Sequence, residues 1–191
     1  SQFLSPDINQ RTDAWGGSLE NRTRIHLEII KKCREEVGND FAISIKMNSA
    51  DFQKGGFSPE DSIQVAKLFS DSGIDNIEIS GGTYEQPRLL GLDKVSINPK
   101  RSENRKESTI AREAYFLSYA EEIAKVVNIP LMVTGGFRTK EGMEAALADG
   151  ACEIVGVGRP LCANPYAIKE LLAGKIDELP KYEKTLSIGP W

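Results

Sequence analysis

The sequence predicts an α/β fold of about four parallel βα units. Two observations carry this. Strand-like and helical segments alternate along most of the chain, and glycine-rich turns stand at the carboxyl ends of the last two strand-like segments. Such alternation is the mark of parallel strands joined by crossover helices. It fits an open doubly wound sheet as well as part of a (β/α)8 barrel. The count is the difficulty: a closed barrel needs eight units and typically about 250 residues. The 191 residues here hold four units, preceded by an unattached helix.

The elements follow from local chemistry. Ser18 can cap a helix running through Leu19, Ile25, Leu27, Ile29, Ile30 and Cys33 to about Val37, where Gly38 stops it. FAISIKMN, Phe41–Asn48, reads as a strand. Ser58-Pro59-Glu60-Asp61 is a strong helix start, with a cap, a first-turn proline and acids beside the positive helix end. That helix carries Ile63, Val65, Ala66, Leu68 and Phe69 and closes at Gly73, before the strand Ile74–Ser80. The stretch from Gly81 to about Ser108 lacks periodicity and is too long for a simple connector, which suggests a functional or lid-forming loop. A helix from about Ile110 to Val127 leads to the apolar strand Pro130–Thr134. Thr139 begins a helix that Gly150 closes, Cys152–Gly158 is a fourth strand, and a last helix spans roughly Pro165–Ala173. From about residue 174 to Trp191 no periodicity is apparent, so this part is expected to be an irregular tail of a single domain covering residues 1–191.

Composition narrows the partners. A net charge of −4, with basic residues scattered among acids, argues against a nucleic-acid footprint and for solvated helix faces. No apolar stretch approaches the roughly 20 residues of a membrane span, and SQFLSPDINQ has no signal-peptide character. Cys33, Cys152 and Cys162 are odd in number and widely spaced, which points to a reducing, cytoplasmic setting. His26 is the one histidine, so a zinc site is disfavoured. Its helical pattern and polar neighbours suggest a surface or capping role.

The candidate chemistry lies in two turns and one lysine. Thr134-Gly135-Gly136-Phe137 and Gly156-Val157-Gly158-Arg159 stand one βα unit apart, each at the same end of its strand. Bare glycine backbone lets N–H groups approach phosphate oxygens, and Arg159 adds a charged fork for two of them. Either turn alone could be ordinary strand-end punctuation; together they point to a phosphate. No G-x-G-x-x-G links a strand to a helix, which disfavours a dinucleotide fold. In the strand Phe41–Asn48 the period of two sets Ile43, Ile45 and Met47 against Ala42, Ser44 and Lys46, and in Ile74–Ser80 it sets Ile77 and Ile79 against Asn76, Glu78 and Ser80. Lys46 and Glu78 should therefore share an inward face. They could form a structural ion pair, or Lys46 could stabilise negative charge on a bound cofactor, or both.

The segment FLSPDINQRTDAWGGSLENRTR, Phe3–Arg24, closely resembles a signature stretch of the Old Yellow Enzyme family of NADH:flavin oxidoreductases. The matching pieces are Leu4-Ser5-Pro6, Asn9, Arg11, Asp13, Gly16-Gly17-Ser18 and Glu20-Asn21-Arg22, with Trp15 where an aromatic is usual. Their polar groups read as capping and loop-pinning. KMNSADFQKGGF, TGGF and GVGRP agree in order with the family's flavin-edge cation and FMN-phosphate loops. The resemblance implies that the chain is the C-terminal half of a (β/α)8 TIM barrel, with Lys46, Gly135, Gly136, Phe137, Gly158 and Arg159 as cofactor-binding positions. It implies FMN as cofactor and NADH or NADPH as electron donor. It further implies hydride transfer to the β-carbon of an activated alkene, an enone-like small molecule. The family's substrate-anchoring histidine or asparagine pair and its proton-donating tyrosine lie upstream of the QFLSP stretch. No catalytic residue is therefore assigned here, and this piece alone is expected to be inactive.

A half-barrel would leave apolar strand edges at Phe41–Met47 and Cys152–Val157, inviting a homo-oligomer or pairing within a longer polypeptide. The alternative function is a non-catalytic phosphate-ligand-binding or interaction module formed by a truncated barrel. A phosphate-handling lyase or isomerase barrel is disfavoured by the long match at Phe3–Arg24.

Overall fold

The computed structural model describes residues 2–81 and 116–180. Nearly all of the irregular stretch expected over Gly81–Ser108, and the start of the helix expected from Ile110, fall outside the described residues. In chain order the elements are α1 (Leu19–Val37), β1 (Ser44–Asn48), α2 (Pro59–Asp71), β2 (Asn76–Ser80), α3 (Leu117–Ala124), β3 (Leu131–Thr134), α4 (Lys140–Ala148), β4 (Ile154–Gly156), α5 (Arg159–Ala163) and α6 (Ala167–Leu172).

The four strands form one parallel sheet in the order β1-β2-β3-β4. Spatial order equals sequence order. A doubly wound sheet reverses direction at a switch point, whereas a barrel wall is laid down strand by strand. The sheet is therefore an arc of a (β/α)8 barrel, and the ambiguity left by alternation disappears.

Caps form where their chemistry directs. Ser18, Ser58 and Thr139 accept hydrogen bonds from the backbone N–H groups of Asn21, Asp61 and Gly142, and so start α1, α2 and α4. Gly38 ends α1 at a φ of 74°, donating its N–H to the Arg34 carbonyl. Met47, Ile77, Ile79, Leu131 and Val133 are buried on the outer face of the sheet, against Ile30, Val65, Ala66, Phe69, Ala120 and Ile123 from the helices. The inner face is polar where β1 meets β2: Ser44 sits opposite Asn76, Lys46 opposite Glu78, and Asn48 opposite Ser80.

All four strands are shorter than expected, β1 and β4 the most, and the neighbours of these two explain why. β1 begins at Ser44, not Phe41. The Ile43 carbonyl still accepts the Asp75 N–H at 2.9 Å, but the Ile43 N–H goes to the Asp75 carboxylate at 2.7 Å, so the ladder stops there. β4 spans only Ile154–Gly156, since β3 pairs with it through Met132, Val133 and Thr134 alone. The last helix is likewise Ala167–Leu172, and α5 precedes it unheralded by any periodicity. Of the tail expected from about 174, residues 181–191 fall outside the described residues; the described part is irregular but docked. Leu179 is fully buried with Ala167 and Leu171, its N–H donates to the Arg138 carbonyl at 2.7 Å, and Thr139 bridges Glu178.

His26 corrects another expectation. It is no surface cap but packs between α1 and α2, its ring centroid 5.8 Å from that of Phe69. Burial holds its pKa below the ordinary histidine value. Among the described residues no helix is long and apolar enough to cross a membrane.

Candidate functional site

The site grows from the way β3 and β4 end. Thr134 and Gly156 are register partners in the parallel ladder, so the two glycine-rich turns leave the sheet side by side at one end of the barrel arc. Gly135 and Gly136 take φ angles of 127° and 89°, which L side chains rarely adopt. Gly156 is required for a different reason: a Cβ there would sit 1.8 Å from Thr134 Oγ1. At Gly158 a Cβ would meet nothing within 4 Å. That glycine leaves open space, as backbone close to a ligand should.

These turns border a cleft of about 210 Å³. All six residues singled out from the sequence line it: Lys46, Gly135, Gly136, Phe137, Gly158 and Arg159. Phe137 is only 1% exposed and belongs to the hydrophobic core, so its ring braces the turn from beneath. Arg159 is exposed at the start of α5. A helix of five residues adds little macrodipole, so the charge on Arg159 and the glycine peptides carry the attraction for an anion.

Lys46 lines the same cleft from β1, two strand spacings from β3, or about 10 Å. The two readings of this residue coexist in the geometry. Its Nζ lies 2.6 Å from Glu78 Oε1, and its side chain is still 56% exposed toward the cleft. Among the described residues no carboxylate lines the cavity, while Lys46, Arg138 and Arg159 all do. Basic side chains thus reach the cleft from both sides, Lys46 at one and Arg138 and Arg159 beside the glycine backbone at the other. An elongated ligand carrying a terminal phosphate suits that layout.

Sequence reasoning missed Arg138 and gave Thr134, named in the first turn, no role of its own. Arg138 is buried at 7% exposure, lines the cleft and donates to the Phe137 carbonyl at 2.8 Å. Its signal was an arginine between a buried aromatic and a helix-capping threonine, a place where a charge needs a reason. Thr134 lines the cleft too, and its Oγ1 is buried without a hydrogen-bond partner. An orphaned hydroxyl of this kind fits a ligand that supplies an acceptor or donor.

The Phe3–Arg24 segment lends the cleft no residue, and its main polar groups hold the loop and tie it to α2. Asn9 Nδ2 donates to the Phe3 and Trp15 carbonyls, both at 2.8 Å, and the Asp13 carboxylate takes the Trp15 N–H while pairing with Arg11. Arg22 is buried and donates to the Leu4 carbonyl, to the Gly17 carbonyl and to Asp61. Capping and pinning are what these groups do.

Comparison with known proteins identifies the family. The model of the NADH:flavin oxidoreductase / NADH oxidase family matches residues 1–178. The chain is 39% identical over 176 residues to the NADH-dependent flavin oxidoreductase iliE of Hypocrea jecorina (strain QM6a), covering 90% of this chain and 41% of that protein. It superposes on a 2-naphthoyl-CoA reductase in complex with 2-naphthoyl-CoA with a TM-score of 0.75 and 31% identity, over 93% of this chain and 25% of that one. The old yellow enzyme homologue from Zymomonas mobilis shares the fold, with a TM-score of 0.64 and 22% identity, over 99% of this chain and 47% of that one. The chain thus spans less than half the length of each of these proteins.

Proposed function

Since the chain belongs to the NADH:flavin oxidoreductase / NADH oxidase family, whose chemistry joins a flavin to a nicotinamide donor, we propose that its cleft anchors FMN in an NAD(P)H-dependent oxidoreductase of the ene-reductase type. One observation carries the proposal. The turns after β3 and β4 stand side by side at one end of the sheet and share a single cleft with Lys46.

In this reading the Gly135-Gly136 turn and Gly158 bring backbone to the terminal phosphate, and Arg159 holds its oxygens in a charge-assisted fork. Phe137 keeps the first turn rigid from below. Lys46 holds a positive charge near the ring end, where reduction adds negative charge. The flavin, when bound, supplies hydride acceptance from the nicotinamide and hydride donation to an activated alkene such as an enone. The substrate-polarising and proton-donating groups are no part of this set, so turnover belongs to the assembled protein.

The phosphate assignment predicts discrimination between FMN and riboflavin, which differ only in that group. Titration of the apoprotein followed by flavin fluorescence should show FMN binding at least about 100-fold more tightly, the worth of two charge-assisted hydrogen bonds. Equal affinities would sink the assignment and favour a site for some other ligand. An assay with an enone and either NADH or NADPH then decides the reaction and the donor.

The outer strands β1 and β4 bear on partners. Phe41 and Ile154 lie exposed beside these edges, at 64% and 42%. Open strands with apolar neighbours recruit further protein, and the reading includes a second copy of the chain or additional polypeptide on these edges. Sedimentation checks it: a lone, soluble monomer of 21.0 kDa at tens of micromolar is the contrary result.

A further inference from the structure

We propose that Glu78 is a positioning residue for Lys46 and, through it, sets the reduction potential of the bound flavin. The inference deepens the proposed function and rests on Lys46 being the cation at the ring end of the cleft.

The argument begins with the ladder. Lys46 and Glu78 are register partners on adjacent parallel strands, so their side chains leave the sheet on the same face at the same height. Nζ and Oε1 meet at 2.6 Å. The two partners are not equivalent. Glu78 is the sheltered one, with 20% of its side chain exposed against 56% for Lys46, and on its other side its register partner is the apolar Met132. Lys46 lines the cleft and Glu78 does not. The carboxylate therefore grips the ammonium from beside the ligand space.

Two consequences follow from that asymmetry. Lysine is a point charge on a flexible four-carbon stem; a sheltered carboxylate one strand away confines where that charge sits. The carboxylate also offsets part of the positive potential the lysine projects into the cleft. Both effects grow when a ligand covers the cleft and displaces screening water. Flavin reduction by two electrons with uptake of one proton adds one negative charge to the ring system. A cation facing that charge favours the reduced form, and a carboxylate paired to the cation moderates the preference. Glu78 should hold the potential lower than Lys46 alone would set it.

The test is the two-electron midpoint potential of the FMN-loaded holoprotein, with the affinities for oxidised and reduced FMN as a second readout. Glu78→Gln keeps the shape and an acceptor for Nζ but removes the charge. It should raise the affinity ratio of reduced to oxidised FMN about tenfold, which is a positive shift of about 30 mV for a two-electron couple. Glu78→Ser removes the same charge at smaller volume and should shift the potential in the same direction, so the answer does not hang on one variant folding. Lys46→Met should lower the potential, and adding Glu78→Gln to it should recover part of that loss, because the carboxylate left unpaired beside the cleft is then removed as well. If Lys46→Met leaves the potential unchanged, the assignment of Lys46 to the flavin fails. If Lys46→Met lowers it while both Glu78 variants stay at the wild-type value, Glu78 is a structural partner and the present proposal is overturned.

Discussion

Two arginine-bearing regions of this chain differ in how they spend their polar groups. In the segment Phe3–Arg24, Asn9, Asp13 and Arg22 satisfy backbone carbonyls and N–H groups of their own neighbourhood. In the turns after β3 and β4, the glycines, Arg138 and Arg159 border open space. The first region is the more distinctive as a string of letters, and it lends the cleft no residue. The second is a pair of short glycine turns, each weak as a motif, and it builds the cleft. A long recognisable motif can mark a loop that must be folded one way, while ligand chemistry rests on a few positions whose value appears only when two strands are brought together.

The contrast can be broken from either side. The largest effect belongs to Arg22→Ala, which strips the donors from the Leu4 and Gly17 carbonyls and leaves Asp61 without its buried partner. Urea unfolding should show a loss of about 3 kcal/mol, with FMN affinity of the folded fraction unchanged. A weakened affinity at full occupancy of the fold would show that the segment reaches the ligand. Arg159→Ala is the mirror experiment. FMN binding should weaken about 10- to 100-fold through the lost charge-assisted contacts, while stability moves by less than about 0.5 kcal/mol, as for other exposed positions.

The smallest effect is a pH dependence at His26, which does not line the cleft. Burial holds the His26 pKa below its ordinary value, so the unfolded chain takes up a proton that the folded ring resists. Stability is then fully present above the ordinary histidine pKa of about 6.5, declines as the pH falls through it, and levels off once the folded ring is protonated as well. Denaturation midpoints between about pH 7.5 and 5 should follow that course in the wild type more steeply than in His26→Phe. Identical profiles would mean that the ring is solvated in the native state.

Much of this was legible in the sequence because it is written in local chemistry. Ser18, Ser58 and Thr139 announce helix starts through their own hydroxyls, and the period of two around Lys46 and Glu78 gives the face on which each lies. What escaped depends on neighbours far along the chain. The length of β4 is decided by β3, and that of β1 by the Asp75 carboxylate. Helix α5, at five residues, is too short to show a period. Leu179 looks like an isolated apolar residue until Ala167 and Leu171 close around it. Arg138 reads in sequence as an ordinary surface charge before a helix cap, and only the fold buries it at the cleft.

The docking of Leu179 has a mechanical side. Its N–H is tied to the carbonyl of Arg138, and Glu178 bridges the threonine that starts α4. The polypeptide therefore leaves this part of the barrel stitched to the rim of the cleft. Tension applied downstream of Pro180 would load the Arg138 turn before it reached the sheet, and a ligand stiffening that turn would in the same way resist a pull from outside.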